Sequence, residues 1–273
     1  MAYNLLKGKR GIIFGALDEN SIAWKTAEQV HAEGGKFVLT NAPIALRMGT
    51  LNKLAEATNS EIIPADATSI EDLEKLVDKA TEILGGKLDF VLHSIGMSMN
   101  VRKGNHYTSQ NYEFTQKGWD ISAVSFHKTM QVLYKKDAMN EWGSIVALTY
   151  MASQRVFPDY NDMADNKAYL ESVARSFGYF FGKDKKVRVN TISQSPTPTT
   201  AGMGVKGFNG FIAYADKMSP LGNATALDCA NYTVSLFSDL TKRVTLQNLY
   251  HDGGFSNMGV SMEVMDAFMK GEE

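Results

Sequence analysis

Short apolar runs alternate with longer stretches of helical period along almost the whole chain. A buried strand is predicted over 11–15, where glycines bound the run Ile12-Ile13-Phe14, and a helix over 21–32 follows with Ser21 at its cap position. Further strands are predicted over 36–40, 61–65, 88–93, 144–149, 187–193 and 246–250. Helical patterns cover 46–57, 69–84, 111–134, 161–182 and 225–237. This alternation calls for a parallel sheet covered on both faces. Right-handed crossovers favour the α/β doubly wound, Rossmann-like arrangement with about seven strands. No internal repeat or low-complexity linker breaks the series.

Composition adds bounds. A chain of 273 residues with 44% hydrophobic and 21% charged content can bury a large core, so one domain over 1–273 is expected. A formal charge of -2 argues against a nucleic-acid partner. The lone Cys229 cannot make an internal disulfide, the amino terminus lacks a secretory h-region, and no apolar run is long enough to span a bilayer. The expectation is a soluble, cytoplasmic protein. Its five histidines, 31, 93, 106, 127 and 251, show no metal-ligand spacing, so no metal is expected.

Candidate chemistry centres on 150–167. Tyr160 and Lys167 lie seven residues apart, about two helical turns, so a helix running from about Asn161 is predicted to bring both onto one face. A nearby ammonium favours the ionised phenol, which suits the pair to stabilising or protonating an oxyanion. After the first strand, GALDENSIAW lacks G-x-G-x-x-G. Gly15 can make a tight turn and Ser21 can cap the next helix, and the serine reads either as a pyrophosphate ligand through its hydroxyl and N–H or as an ordinary cap.

Gly15, five intervening residues and then Ser21-Ile22-Ala23 resemble the cofactor loop of the enoyl-acyl carrier protein reductases, a divergent branch of the short-chain dehydrogenase/reductase superfamily. The likeness continues through Asp66-Ala67, His93-Ser94-Ile95-Gly96, and Tyr150 and Tyr160 with Pro158, Asn161 and Lys167. It ends in Val187-Arg188-Val189-Asn190 and His251-Asp252-Gly253-Gly254-Phe255. The resemblance implies reduction of a trans-2-enoyl thioester carried on acyl carrier protein, by a homotetramer. Ketone reducers of that superfamily carry a tyrosine four residues before the lysine; here that place holds Met163, which cannot donate a proton, and C=C reduction is preferred for that reason. Tyr160 and Lys167 would be catalytic, with Tyr150 either a second donor or a pocket wall. The cofactor would meet Gly15, Ser21, Ile22, Ala42, Asp66, Ala67, Ser94, Ile95, Gly96, Lys167, Thr197, Thr199 and Ala201, and the substrate Ser98, Tyr160 and Met163.

Two departures from the family pattern stand out. Gln194-Ser195-Pro196 replaces the usual Ala-Gly-Pro, and a serine for that glycine requires a compatible backbone angle. At the tip of the second strand, Thr40-Asn41-Ala42 carries neither an acidic residue nor a basic one. NADH is therefore expected, and Arg47 keeps NADPH open. Gly202, Gly204, Gly207 and Gly210, with Met203, Phe208 and Phe211, are too glycine-dense for a rigid element, and a mobile flap over an acyl chain is expected near 197–215. Two rivals remain: a ketone- or alcohol-directed dehydrogenase of the same fold, and a non-catalytic nucleotide-binding regulator.

Overall fold

The computed structural model describes residues 3–47, 49–200 and 208–270. Seven strands, β1 (Arg10–Phe14), β2 (Lys36–Thr40), β3 (Glu61–Ile62), β4 (Leu88–His93), β5 (Met139–Thr149), β6 (Arg188–Gln194) and β7 (Asn248–His251), form one sheet in the order β3-β2-β1-β4-β5-β6-β7. All pairs are parallel. The chain runs outward from β1 to β3, then returns to β4 beside β1, so the strand order reverses between β1 and β4. In open α/β sheets a ligand crevice lies at such a point, outside the carboxyl ends of the strands.

The strand period of two sends alternate residues into two apolar layers. Ile12, Val38, Val91 and Ile145 pack with Leu73 and Leu76 of α4 (Ile70–Leu84), Phe126 and Leu133 of α7 (Ser125–Lys135), and Leu170 and Phe181 of α8 (Asp162–Lys185). Ile13, Leu39, Leu92 and Val146 face the other way, onto Trp24 and Val30 of α1 (Ile22–Ala32), Leu54 of α3 (Leu51–Thr58), and Val234 and Phe237 of α10 (Ala226–Phe237). Each such leucine or isoleucine contributes roughly 1.5–3 kcal/mol by leaving water, which is why both sheet faces are filled. The helices start where the caps dictate. Ser69 accepts from the N–H of Asp72, and Thr225 and Asp228 form a reciprocal capping box.

Several boundaries differ from expectation for local reasons. The pattern over 46–57 divides into α2 (Pro43–Leu46) and α3, with Gly49 at φ +69° between them. The strand over 61–65 is regular only over Glu61–Ile62, but Ile63 N and Ala65 N still donate to Leu39 O (2.9 Å) and Asn41 O (3.2 Å), with Pro64 at the position between them that owes β2 no N–H. The amphipathic stretch 111–134 holds as α6 (Tyr112–Trp119) and α7, but a π turn at Asp120–Val124 joins them. α5 (Met99–Lys103), α9 (Phe208–Met218) and α11 (Met262–Met269) were not anticipated. α9 occupies the later part of the segment near 197–215 where a flap is expected. From Phe208 onward the chain is helical despite Gly210, because Phe211, Ala215 and Met218 pack into an apolar cluster with Tyr150 and Phe255. The remainder of the glycine-dense stretch, 201–207, lies outside the described residues, and Ala201 with it.

Candidate active site

The site is assembled from the loops after β1, β4, β5 and β6. Gly15 leaves β1 at φ +89°, and a Cβ there would lie 1.9 Å from the carbonyl oxygen of Ser94, so only glycine lets the β1 and β4 loops touch. Two side chains tie down the loop behind it. Asn41 Nδ2 donates to Ala16 O at 2.9 Å, and Thr50 Oγ1 to Leu17 O at 2.6 Å. Ser21 is the N-cap of α1, as expected, and accepts from Trp24 N at 3.3 Å. Its hydroxyl and its N–H both donate to Asp18 O, at 2.8 and 3.0 Å, so they serve the loop. The first turn of α1 leaves the N–H groups of Ile22 and Ala23 without intrahelical partners, facing the positive end of the helix.

Beyond β4, His93 is fully buried, with Nε2 3.0 Å from Ser125 Oγ and the ring packed on Phe126. Burial first, and then the Lys167 charge, pushes it down to about 3, so it stays neutral. The Ser122 hydroxyl clamps the Met97 backbone from both sides, accepting from its N–H (2.8 Å) and donating to its carbonyl (2.9 Å). This sets the course of Ser94-Ile95-Gly96. A Cβ on Gly96 would stand 3.4 Å from Met163 Cε and 3.8 Å from Lys167 Nζ, so the segment runs directly over that face of α8.

Lys167 is buried, and its ammonium donates to Leu148 O at the end of β5 at 2.8 Å. Burial lowers it to about 8. Tyr160 reaches the same region by a route that differs from expectation. It lies in a short turn, Pro158–Tyr160, and α8 begins only at Asp162. Asn161 between them adopts φ 48°, ψ −137°, a conformation strained for a side-chain residue. The strain is held by three contacts: Asn161 Oδ1 accepts from Gln110 Nε2 (2.5 Å) and Asp162 N (2.7 Å), and Nδ2 donates to Asn105 O (2.6 Å). The tyrosine is therefore placed by a kinked corner ahead of α8, not on the helix face that carries the lysine.

The rings of Tyr150 and Tyr160 meet edge to face at 5.2 Å, and Phe157 lies 5.3 Å from Tyr150. Burial pushes both phenols above their ordinary value, which corrects the expectation of an ammonium-favoured phenolate. They are neutral hydrogen-bond donors at working pH. Tyr150 is buried, and its hydroxyl has no hydrogen-bond partner among the described residues. A buried orphaned donor of this kind marks a place where something polar is meant to arrive.

After β6, Gln194 spans from His251 Nδ1 (2.9 Å) to Thr197 Oγ1 and Ala224 O (both 3.3 Å). Ser195 Oγ accepts from Ala224 N at 3.0 Å. Ser195 is absent from the positive-φ residues, so the serine in place of glycine fits an ordinary backbone angle and adds a tie. Thr200 Oγ1 donates to Asp18 Oδ2 at 2.5 Å, which draws the Thr197–Thr199 segment onto the β1 loop. Ala42 stands at the start of α2, its N–H bonded to Asn41 Oδ1. Asp66 is exposed and turns its carboxylate onto Thr68, with Ala67 buried beside it. The Ser98 hydroxyl caps α5 and donates to Asp162 Oδ1 at 2.5 Å, tying the loop after β4 to the start of α8.

Sequence reasoning missed Ser122, Ser125 and Glu171. Only Glu171 carried a signal, its place four residues after Lys167. Among the described residues no group of three His, Cys, Asp or Glu side chains is gathered as a metal site requires, and no helix is long and apolar enough to cross a membrane.

A doubly wound sheet with a glycine turn at its switch point, and a tyrosine–lysine set beside it, defines a reductase of the short-chain dehydrogenase type. The family model described as enoyl-(acyl carrier protein) reductase matches residues 15–256. Enoyl-[acyl-carrier-protein] reductase [NADH] 2 of Rhizobium meliloti is 34% identical, over 92% of this chain and 93% of its own. The FabI–NADH complex from Alistipes finegoldii is 63% identical with a TM-score of 0.95, covering 96% of this chain and 93% of that one. The NADH enzyme from Aquifex aeolicus is 32% identical with a TM-score of 0.86, over 94% and 99% of the two chains. The chain belongs to the enoyl-(acyl carrier protein) reductase family.

Proposed function

We propose that the protein reduces the trans-2 double bond of an enoyl thioester on acyl carrier protein with NADH, in fatty-acid synthesis. The observation that carries this reading is the set Tyr150, Tyr160 and Lys167 at the switch point, with apolar Met163 where a ketone reducer needs its acid. The loops fit a dinucleotide: Gly15 lets the β1 and β4 loops close against each other, the Ile22 and Ala23 N–H groups suit a pyrophosphate, and the Tyr150 hydroxyl awaits a partner. At the tip of β2, the amide of Asn41 is committed to Ala16 and Ala42, and Arg47 is exposed, which favours NADH over NADPH. The relatives named above are NADH enzymes.

Gly15, Ile22, Ala42, Asp66, Ala67, Ser94, Ile95, Gly96, Thr197 and Thr199 would hold the cofactor, with Ser21 shaping the loop. When bound, NADH supplies the hydride that reaches the β-carbon. Negative charge then develops on the thioester oxygen, where the neutral Tyr160 phenol donates a hydrogen bond, the point at which a preorganised donor is worth most, and the enolate then takes a proton from solvent at the α-carbon. Lys167 holds the ribose hydroxyls and keeps a positive charge beside that oxygen. Tyr150 orients Tyr160 edge to face, while Phe157 and Phe211 give the acyl chain an apolar wall.

The working unit is a homotetramer in the cytoplasm. Tyr112 and Trp119 on α6, and Tyr179 and Phe180 on α8, are 43–77% exposed, and such faces are covered by copies of the same chain. Buried Cys229, with no second cysteine, suits a reducing compartment.

The deciding experiment follows NADH and NADPH oxidation with a crotonyl thioester and, separately, an acetoacetyl thioester. Turnover of the first with NADH is expected. Turnover of only the second would favour a ketone reductase, and cofactor binding without turnover a regulator. Light scattering of a stable monomer at micromolar concentration would remove the tetramer.

A further inference from the structure

One buried carboxylate has no part in the chemistry above. Glu171 lies on α8 one turn beyond Lys167, on the same face, and is 3% exposed. Its Oε1 accepts from the hydroxyls of Thr149 (2.8 Å) and Ser153 (2.5 Å), and its Oε2 from the amide of Gln154 (3.3 Å). It forms no salt bridge among the described residues. Burying an ionised group beside neutral donors alone is costly, and a glutamine in its place could accept from the same two hydroxyls. Hydrogen bonding therefore does not account for the charge.

Its surroundings do. The donors Thr149, Ser153 and Gln154 flank Tyr150 in the chain, and Ser153 N also donates to Tyr150 O at 3.0 Å. The carbonyl that receives the Lys167 ammonium belongs to Leu148, immediately before Thr149. Glu171 thus grips the tyrosine corner on both sides from the helix that carries the lysine. We propose that Glu171 is a positioning residue, joining the corner that bears Tyr150 to the helix that bears Lys167 and supplying the counter-charge of the buried ammonium. This deepens the reductase reading and rests on it.

Other titratable groups border the pair. His93 faces Lys167 from β4 and is neutral, and Tyr150 and Tyr160 are held as neutral phenols by burial. From the β7 side, Tyr250 donates to Gln154 Oε1 at 2.9 Å and senses both Glu171 and Arg155, while Asp252 acts on Tyr150. Glu171 is the group that opposes the fall of Lys167 on burial.

The test compares wild type, Glu171→Gln, Glu171→Asp and the pair Thr149→Val with Ser153→Ala. NADH binding by nicotinamide fluorescence and kcat/KM with a crotonyl thioester are followed from about pH 6 to about pH 10. Without the counter-charge Lys167 loses its proton earlier. The alkaline limb of both profiles in Glu171→Gln should therefore move to lower pH by about one unit, and Glu171→Asp should restore it. The double variant, which cuts the two hydroxyl ties to Oε1 and keeps the charge, should lower kcat several-fold with the limb unmoved. Wild-type profiles in Glu171→Gln overturn the proposal. If that variant does not fold, wild-type kcat and KM in the double variant overturn it instead. Failure of the wild type itself to reduce the crotonyl thioester would sink the reductase reading, and the NADH-binding profiles would still decide on Glu171.

Discussion

Replacing Lys167 by methionine exchanges a buried ammonium for an apolar side chain of similar length, and the outcome for stability depends on pH in a way the structure defines. Burial holds the ammonium at about 8 against an ordinary 10.5, so the folded chain binds this proton more weakly than the unfolded chain does. The difference corresponds to about 3 kcal/mol. That penalty is fully present below about pH 8, shrinks as pH rises toward 10.5, and is gone above it. Lys167→Met removes the penalty but leaves Leu148 O without its donor, which costs roughly 1–3 kcal/mol, and takes the counter-charge from Glu171. The lost hydrogen bond varies little over this range, and the Glu171 attraction is already contained in the net penalty, whereas the gain itself changes. The stability of the variant relative to wild type should therefore be most favourable near neutrality and fall by about 3 kcal/mol by about pH 10.5. Urea unfolding at a series of pH values and one fixed protein concentration measures this, and NADH titration alongside should show binding weakened by more than about tenfold. A stability difference that stayed constant with pH would show that Lys167 is not desolvated as described, and the pH argument for Glu171 would fall with it.

Three further outcomes are expected. Tyr160→Phe should keep NADH affinity while kcat falls roughly 10 to 1000-fold, the range for losing one oxyanion donor, and steady-state kinetics at saturating NADH would expose an unchanged kcat. Tyr150→Phe deletes a buried hydroxyl with no partner and should raise thermal stability by about 1 kcal/mol; a lowered Tm would mean the hydroxyl is bonded in the protein. Gly15→Ala adds a Cβ 1.9 Å from Ser94 O at a φ that disfavours it, so isothermal titration should find NADH affinity reduced at least about tenfold, and wild-type affinity would contradict the loop contact.

How far the sequence could be read depended on the range of the interactions involved. The strands at 36–40 and 88–93 match β2 and β4 residue for residue, because each is built on a buried apolar run, Phe37-Val38-Leu39 and Phe90-Val91-Leu92, closed by a polar residue. The helix pattern at 69–84 matches α4 to within its cap, because Ser69 and Gly85 mark its ends. Elements held by distant partners were not legible. α5 begins at Ser98, whose hydroxyl is bonded to Asp162 64 residues away, and α9 persists through a glycine because its apolar side packs on Tyr150. In the site, spacing and resemblance single out Tyr150, Tyr160 and Lys167 as the candidates. Their arrangement was not legible, because it passes through the strained backbone of Asn161, which Gln110 and Asn105 hold from far along the chain. The phenols were expected to respond to charge and respond instead to burial, a quantity that exists only once the layers close. Ser122 and Ser125 carry no pattern at all.

The π turn at Asp120–Val124 bears on how this helix can change length. A π turn holds one residue more than the α-helical coil around it, so it acts as a phase shifter. Everything before it is rotated by about 100° relative to everything after. With the shift in place, Ser122 aims at Met97 while Ser125, one turn on, aims at His93, and Trp119 upstream reaches Tyr169 of α8. Loss of a single residue between 120 and 124 would restore a regular hydrogen-bond ladder and a locally sounder helix. It would also swing α6 round, so that the serine and the indole left their targets together. A gap of one at this point in an aligned relative is therefore no trimmed loop. It signals a different orientation of the helix that borders the site, and a β4 loop that must be held down by other means.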